Sequence, residues 1–152
     1  MKKISIITPC YNEAENLIDC IDIVKKIFNN ELKNYDYEHI IVDNNSNQKT
    51  FDIIADLTTK DKKVKALINN KNYGAAASSF NAIKYCSGDA VITFLPSDLQ
   101  DPPELIPEFV KKWEEGFDFV VGIRKDRQEF FLMKSIRQIY YKILKFISNK
   151  EI

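Results

Sequence analysis

Histidine occurs once in this chain and cysteine three times, at Cys10, Cys20 and Cys86. The cysteines are odd in number, widely scattered and without a CxxC pair, so neither a disulfide framework nor a structural zinc site is expected. The lone His39 stands at a strand start, away from the polar loops, which argues against a role in proton transfer. No stretch approaches the roughly 18 uninterrupted apolar residues of a membrane-spanning helix. Behind Met1-Lys2-Lys3 the mostly apolar stretch is only Ile4-Ser5-Ile6-Ile7, too short for the core of a signal peptide, and the chain is expected in the cytoplasm. The first strand is followed by Thr8-Pro9-Cys10-Tyr11 and not by GxGxxG, which speaks against a nicotinamide-binding unit. Net charge is absent too: 22 basic residues balance 22 acidic ones. No basic stripe runs over the whole domain, and nucleic acid is not expected as a partner.

The zero conceals an asymmetry, because residues 1–123 carry −5 and residues 124–152 carry +5. A short basic end suits a membrane surface or an anionic ligand. At 152 residues the chain fits one domain able to bury a real core. Its hydrophobic fraction of 45% and charged fraction of 29% are those of a soluble globular protein rather than a disordered tail.

Short apolar, β-branched runs alternate with stretches of helical periodicity, the pattern of an α/β fold. Strands are expected at Ile4–Thr8, His39–Asp43, Val64–Ile68, Ala90–Leu95 and Phe117–Ile123. The first, second and fourth are apolar with few interruptions, as in a parallel sheet covered on both faces. Asn12 and Glu15 read as a capping box for a helix through about Phe28. A second helix covers about Thr50–Thr59, and a third runs from near Gly74 to before Ser87-Gly88. In the fourth, Asp101 caps, Pro102 takes the first helical position, Glu104 closes the box and the helix reaches about Glu115. A fifth, amphipathic and basic, spans Glu129 to about Ser148. Its Ile136, Ile139, Tyr140, Ile143, Leu144 and Ile147 suit either a bilayer interface or packing on a core or a second copy of the chain. The domain division expected is 1–128 for the core and 129–152 for this helix.

In such sheets, ligands sit beyond the carboxyl ends of the strands. Those ends carry the polar loops 8–13, 43–46, 69–74 and 96–101 and the basic loop Arg124-Lys125-Asp126-Arg127. They converge on one edge, as a polar, phosphate-bearing ligand requires.

The motifs Ile4-Ser5-Ile6-Ile7-Thr8-Pro9-Cys10-Tyr11-Asn12-Glu13, Ile40-Ile41-Val42-Asp43-Asn44-Asn45-Ser46, Asn72-Tyr73-Gly74 and Asp98-Leu99-Gln100-Asp101-Pro102-Pro103-Glu104 stand in the order and spacing of another group. Over essentially the whole chain they resemble the family 2 glycosyltransferases, in the branch of dolichol-phosphate mannose synthase and bacterial polyprenyl-phosphate sugar transferases. The resemblance implies a GT-A, Rossmann-like α/β fold, with a mostly parallel sheet, helices on both faces and a C-terminal amphipathic helix. It also implies a catalytic domain truncated before its acceptor-side segment. The activity implied is transfer of a sugar from a UDP- or GDP-linked donor to an acceptor such as a polyprenyl phosphate, by metal-assisted inverting displacement at the anomeric carbon. Two alternatives stay open, a soluble saccharide acceptor and a non-catalytic nucleotide-binding or interaction module, and a homo-oligomer is compatible with each reading.

By the same resemblance Pro9, Tyr11, Glu13 and Asp43 hold base and ribose, where ionised carboxylates accept charge-assisted hydrogen bonds. Asp98, the one catalytic residue implied, carries Mg²⁺ or Mn²⁺ together with Gln100. The ion would offset charge on the leaving diphosphate, which fits a cation held by one or two carboxylates plus phosphates and water. Arg124 and Arg127 would contact diphosphate or acceptor phosphate through their guanidinium forks. The chain departs from the family twice. Pro96 stands where the first Asp of the usual Asp-x-Asp is expected, and Asn44 stands where a second acid often follows Asp43. Asp101 reads as a helix cap rather than a base. A polyprenyl phosphate is already anionic near neutral pH and needs no strong base.

Overall fold

A computed structural model describes residues 1–93, 101–123 and 140. It divides into two units, Met1–Val120 and Val121–Ile152. In the first, β1 (Lys3–Cys10), β2 (Asp36–Asp43), β3 (Val64–Ile68) and β4 (Ala90–Ile92) form one four-stranded sheet in the order β3-β2-β1-β4. Every neighbouring pair is parallel. Between the strands run α1 (Ala14–Asn30), α2 (Gln48–Lys60) and α3 (Ala75–Ala82), the last extended by a 3-10 turn, Ile83–Tyr85. After a second 3-10 turn, Pro103–Leu105, comes α4 (Ile106–Glu114).

Alternation along the central strands sorts the core into two layers. Ile4 and Ile6 of β1 and Tyr37 of β2 meet Cys20, Val24, Ile27 and Phe28 of α1 with Ile106 and Val110 of α4. On the same face Cys10 and Ile41 pack with Leu17 and Ile21 of α1 and Ile54 of α2. The opposite face puts Ile7, Ile40 and Val42 against Ala82 of α3. Each large aliphatic side chain removed from water in this way contributes about 1.5–3 kcal/mol. Polar residues inside the central strands are paired across them. His39 shares a 2.7 Å hydrogen bond with Thr8 Oγ1. Glu38, 1% exposed, accepts from Ser5 Oγ at 2.6 Å, Lys65 Nζ at 2.6 Å, Lys3 Nζ at 3.1 Å and the backbone N–H of Ser87 at 2.6 Å.

The structure departs from several expected features, and β2 starts at Asp36 rather than at His39. The strand expected at Phe117–Ile123 is not a strand. The Phe117 N–H closes the end of α4 on Lys112 O at 3.4 Å, beside the left-handed Gly116, and Phe117, Phe119, Val121 and Ile123 are exposed. Among the described residues this stretch has no ladder partner, and high β-propensity alone makes no strand. The capping box of Asn12 and Glu15 does not form. Asn12 is left-handed at φ 59°, Glu13 holds the cap position without a side-chain cap bond, and Glu15 pairs with Lys49 at 2.8 Å. Asp101 does not hold the cap position of the fourth helix: Pro102 precedes the 3-10 turn that opens it, with Leu105 N–H bonding to Pro102 O at 3.2 Å, and Leu105 holds the cap position of α4 itself. Residues 94 and 95 of the fourth expected strand, and the helix expected at 129–148 apart from helical Tyr140, lie outside the described residues. Among the described residues no helix is long and apolar enough to cross a membrane.

Candidate functional site

The parallel register brings the carboxyl ends of β1 and β2 level, with Cys10 opposite Asp43. Cys10 donates its thiol to Asp43 Oδ1 at 3.8 Å, and burial, then the Asp43 carboxylate, push that thiol well above its ordinary range. It stays protonated and is no nucleophile. Beyond Asp43 the left-handed Asn45, φ 63°, turns the chain back so that Ser46 N–H faces both carboxylate oxygens at 3.3 and 3.2 Å. Asparagine tolerates this conformation better than most residues. These bonds are longer than the roughly 2.7–2.9 Å of a strong charge-assisted bond, so the carboxylate keeps acceptor capacity. Asp43 itself is 1% exposed, folded under its own turn.

The loops after β1 and β2 are stitched together by Asn12. Its Oδ1 accepts the Asn47 N–H at 2.7 Å, and its own N–H donates to Ser46 Oγ at 3.0 Å. Asn47 in turn caps α2 by accepting the Thr50 N–H at 3.0 Å. Of the residues expected at this rim, Pro9 is buried in β1, Glu13 is half-buried at the start of α1, and Tyr11 is 47% exposed. The structure therefore gathers Pro9, Tyr11, Glu13 and Asp43 at one end of the sheet. Asp98, Gln100, Arg124 and Arg127 lie outside the described residues, as does Pro96. Among the described residues no group of three His, Cys, Asp or Glu side chains could hold a metal ion.

Sequence reasoning missed the part played by Asn44. It is 2% exposed, and its Oδ1 accepts from Asn69 Nδ2 at 3.1 Å, from the Tyr73 N–H at 3.4 Å and from Ser78 Oγ. The Asn69 N–H also reaches Asp43 O at 2.9 Å. A cleft of about 490 Å³ opens there, lined by Asn69, Asn70, Tyr73, Ser78 and Asn81 among others. Its polar lining carries no charged side chain: the amides of Asn69, Asn70 and Asn81 and the hydroxyl-bearing Ser78 and Tyr73. Between Tyr73 and α3, Gly74 takes φ 81°, a conformation that favours glycine, and holds the cap position of α3. The one signal in the sequence was the density of asparagine in loops 43–47 and 69–72.

His39 lies in mid-strand, removed from this rim. Burial pushes its imidazole down to about 4, so it is neutral near pH 7, with Nδ1 unpartnered.

The model of a family described as Glycosyl transferase family 2 matches residues 5–151. A prophage bactoprenol glucosyl transferase homolog of Escherichia coli (strain K12) is 34% identical over 99% of this chain and 48% of its own length. An undecaprenyl-phosphate 4-deoxy-4-formamido-L-arabinose transferase of Enterobacter sp. (strain 638) is 31% identical over 97% of this chain and 45% of its own. The chain spans about half the length of the curated relatives it matches. Among solved structures, the mannosyltransferase PcManGT from Pyrobaculum calidifontis, in complex with GDP-Man and Mn²⁺, superposes with TM-score 0.59 at 19% identity, over 72% of this chain and 32% of that one. The UDP complex of Staphylococcus aureus TarS 1-349 gives 0.51 at 20%, over 82% and 40%. At these identities the likeness to the solved structures is one of fold.

Proposed function

The chain belongs to glycosyl transferase family 2, and from that premise we propose that it carries the nucleoside diphosphate-sugar site of an enzyme that glycosylates a polyprenyl phosphate. The observation that supports this most is the meeting of the Cys10 and Asp43 strand ends with the Asn44-anchored cleft at one rim of a parallel sheet. Ligands of such sheets bind at this end. The acceptor class follows the relatives named for bactoprenol and undecaprenyl phosphate.

In this reading Asp43 takes a ribose hydroxyl in place of its long contacts to Ser46, and Glu13, at the start of α1, takes a second polar group of the nucleoside. Tyr11 and Pro9 flank the base. A phosphate oxygen of the acceptor attacks the anomeric carbon from the face opposite the diphosphate. The bond to the diphosphate oxygen breaks, and the nucleoside diphosphate leaves with the electron pair. Asp98 and Gln100 would hold Mg²⁺ or Mn²⁺, and Arg124 and Arg127 would face phosphate. A bound divalent ion would offset the charge of the leaving group. Placement at the cytoplasmic face of the membrane follows from the lipid acceptor. The solved relatives hold GDP-Man with Mn²⁺ in one case and UDP in the other.

Calorimetry of UDP and GDP, with and without Mn²⁺, tests the reading. Metal-strengthened binding is expected, and Asp43→Asn should lower affinity by roughly 10- to 100-fold, the worth of a hydrogen bond to a charged group. Binding that ignores the metal would favour a non-catalytic module, and no binding at all would end the assignment.

A further inference from the structure

We propose that Asn12 is a positioning residue: it clasps the loop after β1 to the loop after β2 and so fixes Tyr11 and Glu13 at the spacing from Asp43 that a single nucleoside must bridge. The inference rests on the nucleotide-binding reading above and adds to it what holds the two sides of that rim in place.

The residues proposed to meet the nucleoside come from two segments: Pro9, Tyr11 and Glu13 from β1 and its turn into α1, Asp43 from the end of β2. The strands pair as far as Cys10 and Asp43, and the Asn44 N–H still reaches Cys10 O at 3.0 Å. Beyond that point the ladder has ended, and Asn12 joins the segments with two bonds. Its N–H donates to Ser46 Oγ at 3.0 Å, and its Oδ1 accepts the Asn47 N–H at 2.7 Å. One bond comes from the main chain and one from the side chain, so the clasp fixes both the backbone path and the rotamer. Ser46 passes the constraint inward, because its hydroxyl oxygen accepts from Asn12 while its N–H faces the Asp43 carboxylate at 3.3 and 3.2 Å. Farther out Glu15 and Lys49 join the same segments, but that ion pair is exposed on both sides and holds its geometry weakly.

The residue type follows from the same geometry. At φ 59° glycine, asparagine and aspartate are the residues most at ease. Glycine has no oxygen to offer the Asn47 N–H, and aspartate would add negative charge to a rim proposed to receive a diphosphate. Asparagine supplies a short, neutral acceptor in a left-handed turn. A clasp made before the ligand arrives spares the complex the cost of ordering two loops on binding, which is how pre-organised sites gain affinity.

The test is a double-mutant cycle on the affinity of the full chain for UDP and for GDP, with Mn²⁺ present, using the wild type, Asn12→Gly, Asp43→Asn and the double variant. Asn12→Gly keeps the backbone conformation and the N–H to Ser46 but loses the Oδ1 acceptor. It should weaken binding of the tighter nucleotide by roughly five- to tenfold in the wild-type background. In Asp43→Asn the same change should cost less than about twofold, since without the carboxylate the spacing of the loops counts for less. A tie that served stability alone would lower the Tm of Asn12→Gly and leave the affinity of the folded chain as it was. Ser46→Ala removes the other bond of the clasp, keeps the backbone N–H that faces Asp43, and should weaken binding by roughly two- to fivefold, which decides the question if Asn12→Gly does not fold. Unchanged affinity in Asn12→Gly or, failing that, in Ser46→Ala overturns the inference, as does a loss of equal size with and without the Asp43 carboxylate. A wild type that binds neither nucleotide overturns the donor-site reading itself, a separable result.

Discussion

Two adjacent residues of β2, Glu38 and His39, each make the fold sensitive to acid, and they do so in different windows. Burial alone would raise the Glu38 carboxyl, but hydrogen bonds from Lys65, Ser5, the Ser87 backbone and Lys3 outweigh it and hold the group well below the usual carboxylate range. A depressed folded value means stability that is full above the unfolded value of about 4.3 and is lost as pH falls below it. Glu38→Gln should cost about 3 kcal/mol at pH 7, the lower end for a broken buried pair, because Lys3 and Lys65 reach water. Urea unfolding of this variant checks that figure. For His39 the folded value is also depressed, to about 4 by burial. The unfolded imidazole takes up a proton near pH 6.5 while the folded one does not, so stability falls from pH 6.5 towards pH 4 by roughly 3 kcal/mol in all. Denaturation midpoints at pH 7 and pH 4.5 should diverge in the wild type and nearly coincide in His39→Gln. Equal divergence in both would show that another group carries the slope.

At the scale of elements, the parallel sheet and its four helices were legible because β-branched runs and helical spacing are strong, local signals. Val64–Ile68 was read to the residue. What escaped were the ends. Asn12 carries the side chain of a helix cap, yet the structure spends it on the Asn47 N–H of a loop more than thirty residues away, a long-range bond that no local pattern encodes. Asn12→Ala should lose both that bond and the residue's tolerance of φ 59°, Asn12→Gly only the bond. The alanine variant is therefore expected to melt lower, with about 1 kcal/mol lost for the bond alone. The strand read into Phe117–Ile123 failed for the complementary reason, since its propensity is local and its partner is not. Of the candidate site, the residues at the ends of β1 and β2 were legible as loop chemistry at strand ends. The Asn44 network was not, because its three donors come from a loop and a helix that only the fold brings together. A second element-level test is Gly88, beside the start of β4, where a Cβ would stand 2.7 Å from Ser5 N and 2.9 Å from Ala90 O. Backbone atoms cannot yield cheaply, and Gly88→Ala should cost about 1–3 kcal/mol in thermal or urea unfolding.

For the molecule as a whole, ligand binding and stability are one quantity read two ways. A nucleotide that binds only the folded chain stabilises it by about 2.7 kcal/mol at a concentration one hundred times its Kd. For a chain of this length that corresponds to a rise of roughly 5–10 °C in Tm. The rise should appear with UDP or GDP in the presence of Mn²⁺ and shrink to a small fraction in Asp43→Asn, which keeps the shape of the rim and removes its charge. His39→Gln lies far from that rim and should show the full rise from whatever baseline it starts, because a change in intrinsic stability and a change in affinity act separately when the sites share no partner. A nucleotide that raises Tm equally in Asp43→Asn and the wild type would place the ligand elsewhere on the surface. The strand ends of β1 and β2 would then be a packed corner of the fold and not its donor site.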